Sequence, residues 1–261
     1  SNGSYVCTSH PSMTNTITIS DESSGLDAVE GNLKLWLDAS NIDALSNATL
    51  SDGDAISEWK DLSGNGNNMA QTIETEQPSY VPNGVNFVKD YMVSNKVLEE
   101  TNNNYTVIAV IDPLDDTSFR IFGQGLATGS YGGSNHQFSA WANSMGVGEY
   151  PPSSGDHFSL DTYTSIQNEN QIFSVNRDGD NTQIATYHNG SLASSDSYNE
   201  TYNGDMGLST IIGTRISSGD HYNNSDNLVG VIREMIVFDS PLTDQEISKV
   251  HYYLSKKWGL E

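Results

Sequence analysis

A chain of 261 residues with 11 basic and 34 acidic side chains carries a formal charge of −23, which repels phosphate backbones and anionic lipid surfaces and excludes nucleic acid as a partner. No apolar run approaches the ~18 residues needed to cross a bilayer, so no membrane insertion is expected. Apolar content is 35 %, with 13 Tyr, 7 Phe and 4 Trp as bulky core and surface material. That length and thin apolar content suit one large all-β domain of short strands and long polar loops.

Residues 1–30 are polar and read as an N-terminal linker or edge-strand segment, with one alternating patch at Thr14–Ser20. Cys7 is the single cysteine, which excludes an internal disulfide. No positively charged apolar leader follows the N-terminus, and the chain is expected to be a monomeric module excised from a longer protein. The domain itself is expected over 31–261. A strand opens it, with Leu33, Leu35 and Leu37 predicted on one side, and a brief strand surrounds Trp59. Trp36 and Trp59 are expected in the core. Asp61 to Asn68 reads as a loop, because Gly and Asn supply the left-handed backbone of tight turns.

Tyr105–Ile111 is a β-branched run and should be central. Strands follow at 119–122, 136–141 and 171–176. Hairpin signals stand at Asp178-Gly179 and Asn189-Gly190, with residues 183–188 as the strand between them. Residues 123–157 and 193–226 read as loop-rich, with a strand from Thr210 to Gly213. Over 229–238 the period of two puts Val231, Arg233, Met235 and Val237 on one face and Gly230, Ile232, Glu234, Ile236 and Phe238 on the other. Pro241 ends that strand. Thr243 and Glu246 then form a capping box for a helix with the stripe Ile247, Val250, Tyr253 and Leu254. Lys256 and Lys257 suit its negative end, and Gly259 terminates it. Strands at this density argue for two packed antiparallel sheets closed by one short helix.

Two stretches carry a family resemblance. Leu33-Lys-Leu-Trp-Leu-Asp-Ala-Ser40 with Gly53 to Asn67, which contains Trp59-x-Asp61-x-Ser63-Gly-Asn65-Gly-Asn67, resembles the opening of bacterial laminin-G-like, concanavalin A-like jelly-roll domains of the lectin/glucanase superfamily. The apolar strand, Phe238-Asp239-x-Pro241-Leu-Thr243 and a helix finishing in Trp258-Gly-Leu260 are similar to the way those modules close. The resemblance covers residues 31–260. It implies a jelly-roll sandwich serving as a secreted or surface-attached recognition module, often calcium-bound, common in large bacterial adhesins and beside polysaccharide-degrading enzymes. An extracellular or cell-surface location follows from it.

Calcium takes six to eight oxygen ligands. Asp61, Asn65 and Asn67 offer such oxygens on a backbone made pliable by Gly64 and Gly66; equally, they suit a turn capped by local hydrogen bonds. Sugar sites combine an aromatic platform with carboxylates or amides for the hydroxyls. One such mixture is Trp141 with Tyr150 and His157. The other is Tyr202 and Asp205 with Asp220, His221, Tyr222 and Asn223, and Arg215 beside them; the 220–224 loop ranks first.

Catalytic signatures are missing. The chain has no paired-carboxylate strand of the retaining-glycosidase kind, no nucleophile elbow, no metal-binding His-Glu-x-x-His and no phosphate loop. A non-catalytic, calcium-assisted carbohydrate-binding module of an adhesin is therefore the expected function. A peptide-binding or spacer domain is the alternative, and a polysaccharide lyase, using Arg215, His221 and Tyr222 or else His136 or His157 with Tyr150, or a glycosidase, is the remaining one.

Overall fold

A computed structural model describes residues 2–6, 14–18, 29–99, 104–115, 119–125, 135–141, 144–150, 156–161, 168–197, 209–214 and 227–260. The strands begin with β1 (Asn2–Val6), β2 (Thr14–Thr18), β3 (Leu33–Asp38), β4 (Glu58–Trp59), β5 (Met69–Ala70) and β6 (Ser79–Val81). Then come β7 (Gly84–Val88), β8 (Met92–Asn95), β9 (Tyr105–Pro113), β10 (Phe119–Gly125), β11 (Asn135–Trp141) and β12 (Ser144–Tyr150). The set closes with β13 (Asp156–Asp161), β14 (Gln171–Asp178), β15 (Gln183–His188), β16 (Ser191–Ser197), β17 (Ser209–Ile212), β18 (Val229–Phe238) and the helix α1 (Asp244–Trp258).

β1 and β2 pair with each other, the latter within the alternating patch at 14–20. The remaining strands make two antiparallel sheets. The front sheet runs β13-β12-β11-β10-β17-β8-β5-β4; the back sheet runs β16-β15-β14-β9-β18-β7-β6, with β3 also on β18. Such an arrangement is a two-sheet antiparallel jelly-roll sandwich of the concanavalin A-like kind. β9 lies between β14 and β18, as its β-branched run requires. Between the sheets, Val107, Phe173 and Met235 of the back sheet meet Trp59, Met92 and Phe122 of the front sheet.

A second core forms on the far side of the back sheet. Ile108, Val110, Ile236 and Phe238 pack against Ile247, Val250, Tyr253 and Leu254 of α1. Thr243 and Glu246 make the capping box, and Gly259 caps the other end in the left-handed conformation at φ 68°. The Tyr187 hydroxyl donates to Asp244 Oδ1 at 2.9 Å, tying the start of α1 to β15.

Several local expectations are corrected. β18 carries a bulge at Arg233, where its register against β9 shifts between Ile232 and Glu234. The extra residue breaks the period of two. Ile232 therefore shares the inter-sheet core with Met235 and Val237, while Glu234 joins the helix side with Ile236 and Phe238. A register shift between β3 and β18 likewise leaves Leu35 and Leu37 in the main core and moves Leu33 to the helix side. Trp59 is fully enclosed, whereas Trp36 is only half-buried, its indole at the edge of the helix-side cluster.

The strand expected at 136–141 is β11, but the rest of the stretch 123–157, read as loop-rich, also contains β12 and the start of β13. Its Met145/Val147 and Phe158/Leu160 alternations were the available signals, masked by Gly146 and Gly148. Asn189-Gly190 forms the two-residue hairpin turn, with positive φ at both positions. Asp178-Gly179 does not. There the turn spans residues 179–182, and Asp178 accepts from the Asn181 backbone and side chain.

Candidate functional site

With α1 covering the back sheet, the broad surface left in the sandwich is the outer side of the front sheet, where no α-helix packs among the described residues. Phe122, Met92 and Ile212 point into the core, whereas Val93 and Ile211, one residue on or back, cluster with Tyr91 on the other side. Register carries this parity outward. Ile211 stands opposite Gly123, Gly123 opposite Gln137, Gln137 opposite Gly148, and Gly148 opposite His157. Tyr150 pairs with Asn135 and Trp141 with Ser144, positions of that same parity. Trp141, Tyr150 and His157 are thus brought to one face of three adjacent strands. The rows between them carry Gly146 and Gly148. Tyr202, Asp205, Arg215, Asp220, His221, Tyr222 and Asn223 lie outside the described residues.

Asp61, Asn65 and Asn67 do come together, as a clasp on β3. Asp61 Oδ1 accepts from the Trp36 and Ser63 backbone N–H groups at 3.0 and 2.9 Å. Its Oδ2 accepts from Ser63 Oγ at 2.8 Å and the Asn67 N–H at 2.9 Å. Asn65 Nδ2 donates to the Leu33 carbonyl and Asn67 Nδ2 to the Lys34 carbonyl, each at 2.8 Å. Both carboxylate oxygens are occupied by donors, the pattern of a side-chain-capped turn. Among the described residues no cluster of three His, Cys, Asp or Glu side chains is placed to hold a metal ion.

Sequence reasoning missed a polar network beside the end of α1. Glu234, fully buried, accepts at Oε1 from the Trp36 indole at 2.8 Å and the Tyr253 hydroxyl at 3.3 Å. At Oε2 it accepts from the Trp258 indole and pairs with Lys257 Nζ, both at 2.7 Å. Lys257 also reaches Asp38 at 2.7 Å. Burial pulls the lysine's proton affinity down, but the carboxylates of Glu234 and Asp38 outweigh it and hold the ammonium charged above its ordinary range. Next to this network opens a cavity of about 410 Å³ lined by Arg233, Lys257, Trp258, Ser40, Asn83 and Asn170, among others. The one available signal was the adjacent Arg233-Glu234 pair inside an otherwise apolar strand.

On the other flank of α1, His251 Nε2 is hydrogen-bonded to Ser174 Oγ and its Nδ1 is enclosed without a partner. Burial, aided by His188, pushes its pKa down to about 4. Ser174 is fully enclosed and, among the described residues, no carboxylate orients the ring, so this Ser–His pair lacks the access and the third group that nucleophilic catalysis needs.

No family model matches the chain, and no curated protein matches it. Among solved structures, it is similar to the Trypanosoma rangeli sialidase in complex with sialic acid, at 15 % identity and a TM-score of 0.56, over 87 % of this chain and 33 % of that one. It therefore spans about a third of that sialidase. The Ruminococcus gnavus IT-sialidase CBM40 matches at 14 % identity and a TM-score of 0.50, over 58 % and 84 % of the two chains. The leech intramolecular trans-sialidase matches at 13 % identity and a TM-score of 0.50, over 57 % and 23 %. At these identities the likeness is one of fold, and the fold is the jelly-roll sandwich.

Proposed function

We propose that this chain is a non-catalytic carbohydrate-recognition module of the laminin-G-like kind, belonging to a secreted or cell-surface bacterial adhesin, and that its glycan lies across the outer face of the front sheet. The observation that carries the reading is the register of β11, β12 and β13. It sets Trp141, Tyr150 and His157 on one face, with Gly146 and Gly148 on β12 between the rows of Trp141 and Tyr150. An aromatic ring buries the C–H face of a sugar while His and neighbouring amides match hydroxyls. The sialidase whose fold this chain shares over a third of that protein is in complex with sialic acid, and this kinship of fold supports a glycan as ligand class.

The test is a glycan array on the wild-type protein, followed by titration of any hit against Trp141→Ala and Tyr150→Ala. The expected result is a loss of about tenfold or more for each variant with an unchanged unfolding midpoint. An array without hits, or variants that bind as wild type, sinks the reading in favour of a peptide-binding or spacer domain.

Calcium assistance is a separate part of this proposal. The occupied carboxylate of Asp61 argues against the 61–67 loop as the ion's seat. Unfolding midpoints in EDTA and with calcium restored decide it. A saturable rise that persists in Asp61→Asn places the ion elsewhere, and no rise removes calcium from the account.

A further inference from the structure

The cavity at the end of α1 lies on the back sheet, away from the glycan face proposed above. Arg233 lines it and is held in an unusual way for so acidic a chain. Its Nε donates to Asn170 Oδ1 at 3.0 Å, and its Nη1 donates to the Pro82 and Asn83 carbonyls at 3.0 and 2.9 Å. All three acceptors are neutral. Among the described residues no carboxylate makes an ion pair with it, although 34 are present in the sequence against 11 basic groups. Burial lowers its proton affinity, and the charge of Asp112, which makes no ion pair with it, offsets that in part. Lys257, the other cation at the cavity, is spent on Asp38, Glu234 and the Tyr253 hydroxyl. Arg233 Nη2 is left with both N–H bonds unspent.

Three features of the fold produce this arrangement. The bulge at Arg233 turns the guanidinium to the same side as Glu234, and bulges commonly re-aim a side chain beside a functional site. The tight turn between β6 and β7, with Asn83 in the left-handed conformation at φ 56°, presents two successive carbonyls to one nitrogen. Gly84 clears the path, since a Cβ there would stand 2.8 Å from Arg233 Nη1 and 2.4 Å from Val231 Cγ1. The guanidinium is therefore fixed before any ligand arrives, so little rotamer freedom is lost on binding.

We infer that this cavity is a second binding site, taking a sugar acid whose carboxylate meets Arg233 Nη2. The two N–H bonds of Nη2 diverge, so one suits a carboxylate oxygen and the other a hydroxyl further round the same ring, a combination that uronic and ulosonic acids carry. The Trp258 indole supplies apolar surface for the ring, and Ser40, Asn83 and Asn170 supply groups for hydroxyls. At about 410 Å³ the cavity lies within the size range of small-molecule sites.

The test titrates glucuronate, glucose and acetyl-diglycine into the isotopically labelled protein, reading the Trp258 indole N–H resonance by NMR. Glucuronate is expected to shift that resonance saturably in the millimolar range while glucose does not. Arg233→Gln should weaken glucuronate about tenfold or more, and Arg233→Lys should recover part of the loss. Equal shifts with glucose, no saturable shift with glucuronate, or unchanged binding in folded Arg233→Gln overturns the site. A tighter response to acetyl-diglycine overturns the sugar class in favour of a peptide carboxylate. Loss of glucuronate binding in Trp141→Ala would transfer the ligand to the front sheet and overturn the pocket.

Discussion

Asp61 shows how much one carboxylate can organise. It accepts from three backbone N–H groups and the Ser63 hydroxyl. Asp61→Ala leaves those donors without their acceptor and should cost about 2 kcal/mol in urea unfolding, with Asp61→Asn losing less. His251 sets a pH dependence. Its ring is 3 % exposed and titrates at about 4 in the folded chain against an ordinary 6.5. Below 6.5 the unfolded chain takes up a proton that the folded imidazole refuses, so this residue's contribution falls as pH drops from 6.5 to about 4 and levels off beneath. The loss amounts to about 3 kcal/mol. Burial raises the proton affinity of Asp90 and Asp112, which works in the opposite direction. The check is therefore the difference between wild type and His251→Gln, whose unfolding free energies should converge between pH 7 and pH 4. Parallel curves would show that His251 titrates normally. Asp61 was legible as a candidate because Gly and Asn surround it. His251 was not, since nothing local marks a helix histidine as enclosed.

At the scale of elements, α1 is specified almost wholly by its own residues. The capping box, the apolar stripe, the terminal lysines and the glycine cap are all within one stretch of 17 positions, 243–259. Thr243→Ala removes the acceptor for the Glu246 N–H, observed at 3.3 Å, and should cost about 1 kcal/mol. For a chain of this size that lowers the midpoint by about 2–4 °C in calorimetry. An unchanged midpoint would mean that packing alone holds the helix start. β18 behaves differently. Its apolar run identifies a strand, but the sides taken by Ile232 and Arg233 depend on a bulge in its pairing with β9. β12 went unread because Gly146 and Gly148 weaken strand propensity while marking the space a face can leave for a ligand.

For the whole molecule, a formal −23 must be carried by a compact body, and self-repulsion of that size opposes folding. Added sodium chloride shortens the range of such repulsion to ~10 Å at 0.1 M. The unfolding midpoint should therefore rise between low salt and about 0.5 M, and a flat response would show the carboxylates to be too well spaced to oppose one another. The two outer surfaces of the sandwich also become unequal at this scale. The helix packs on one, which leaves the front sheet for a broad ligand and, on the back, openings beside α1 that include the cavity at its end.

The sequence by itself determined the two-sheet class, the central strands, the closing helix with both caps and the enclosure of Trp59, because each follows from side-chain periodicity or a turn chemistry contained in a few neighbouring residues. Only the tertiary structure decided which residues share a site. Arg233, Asn83, Asn170, Ser40 and Trp258 meet because strand pairing and a bulge bring together positions as far apart as 40 and 258, and such long-range contacts leave no period in the chain.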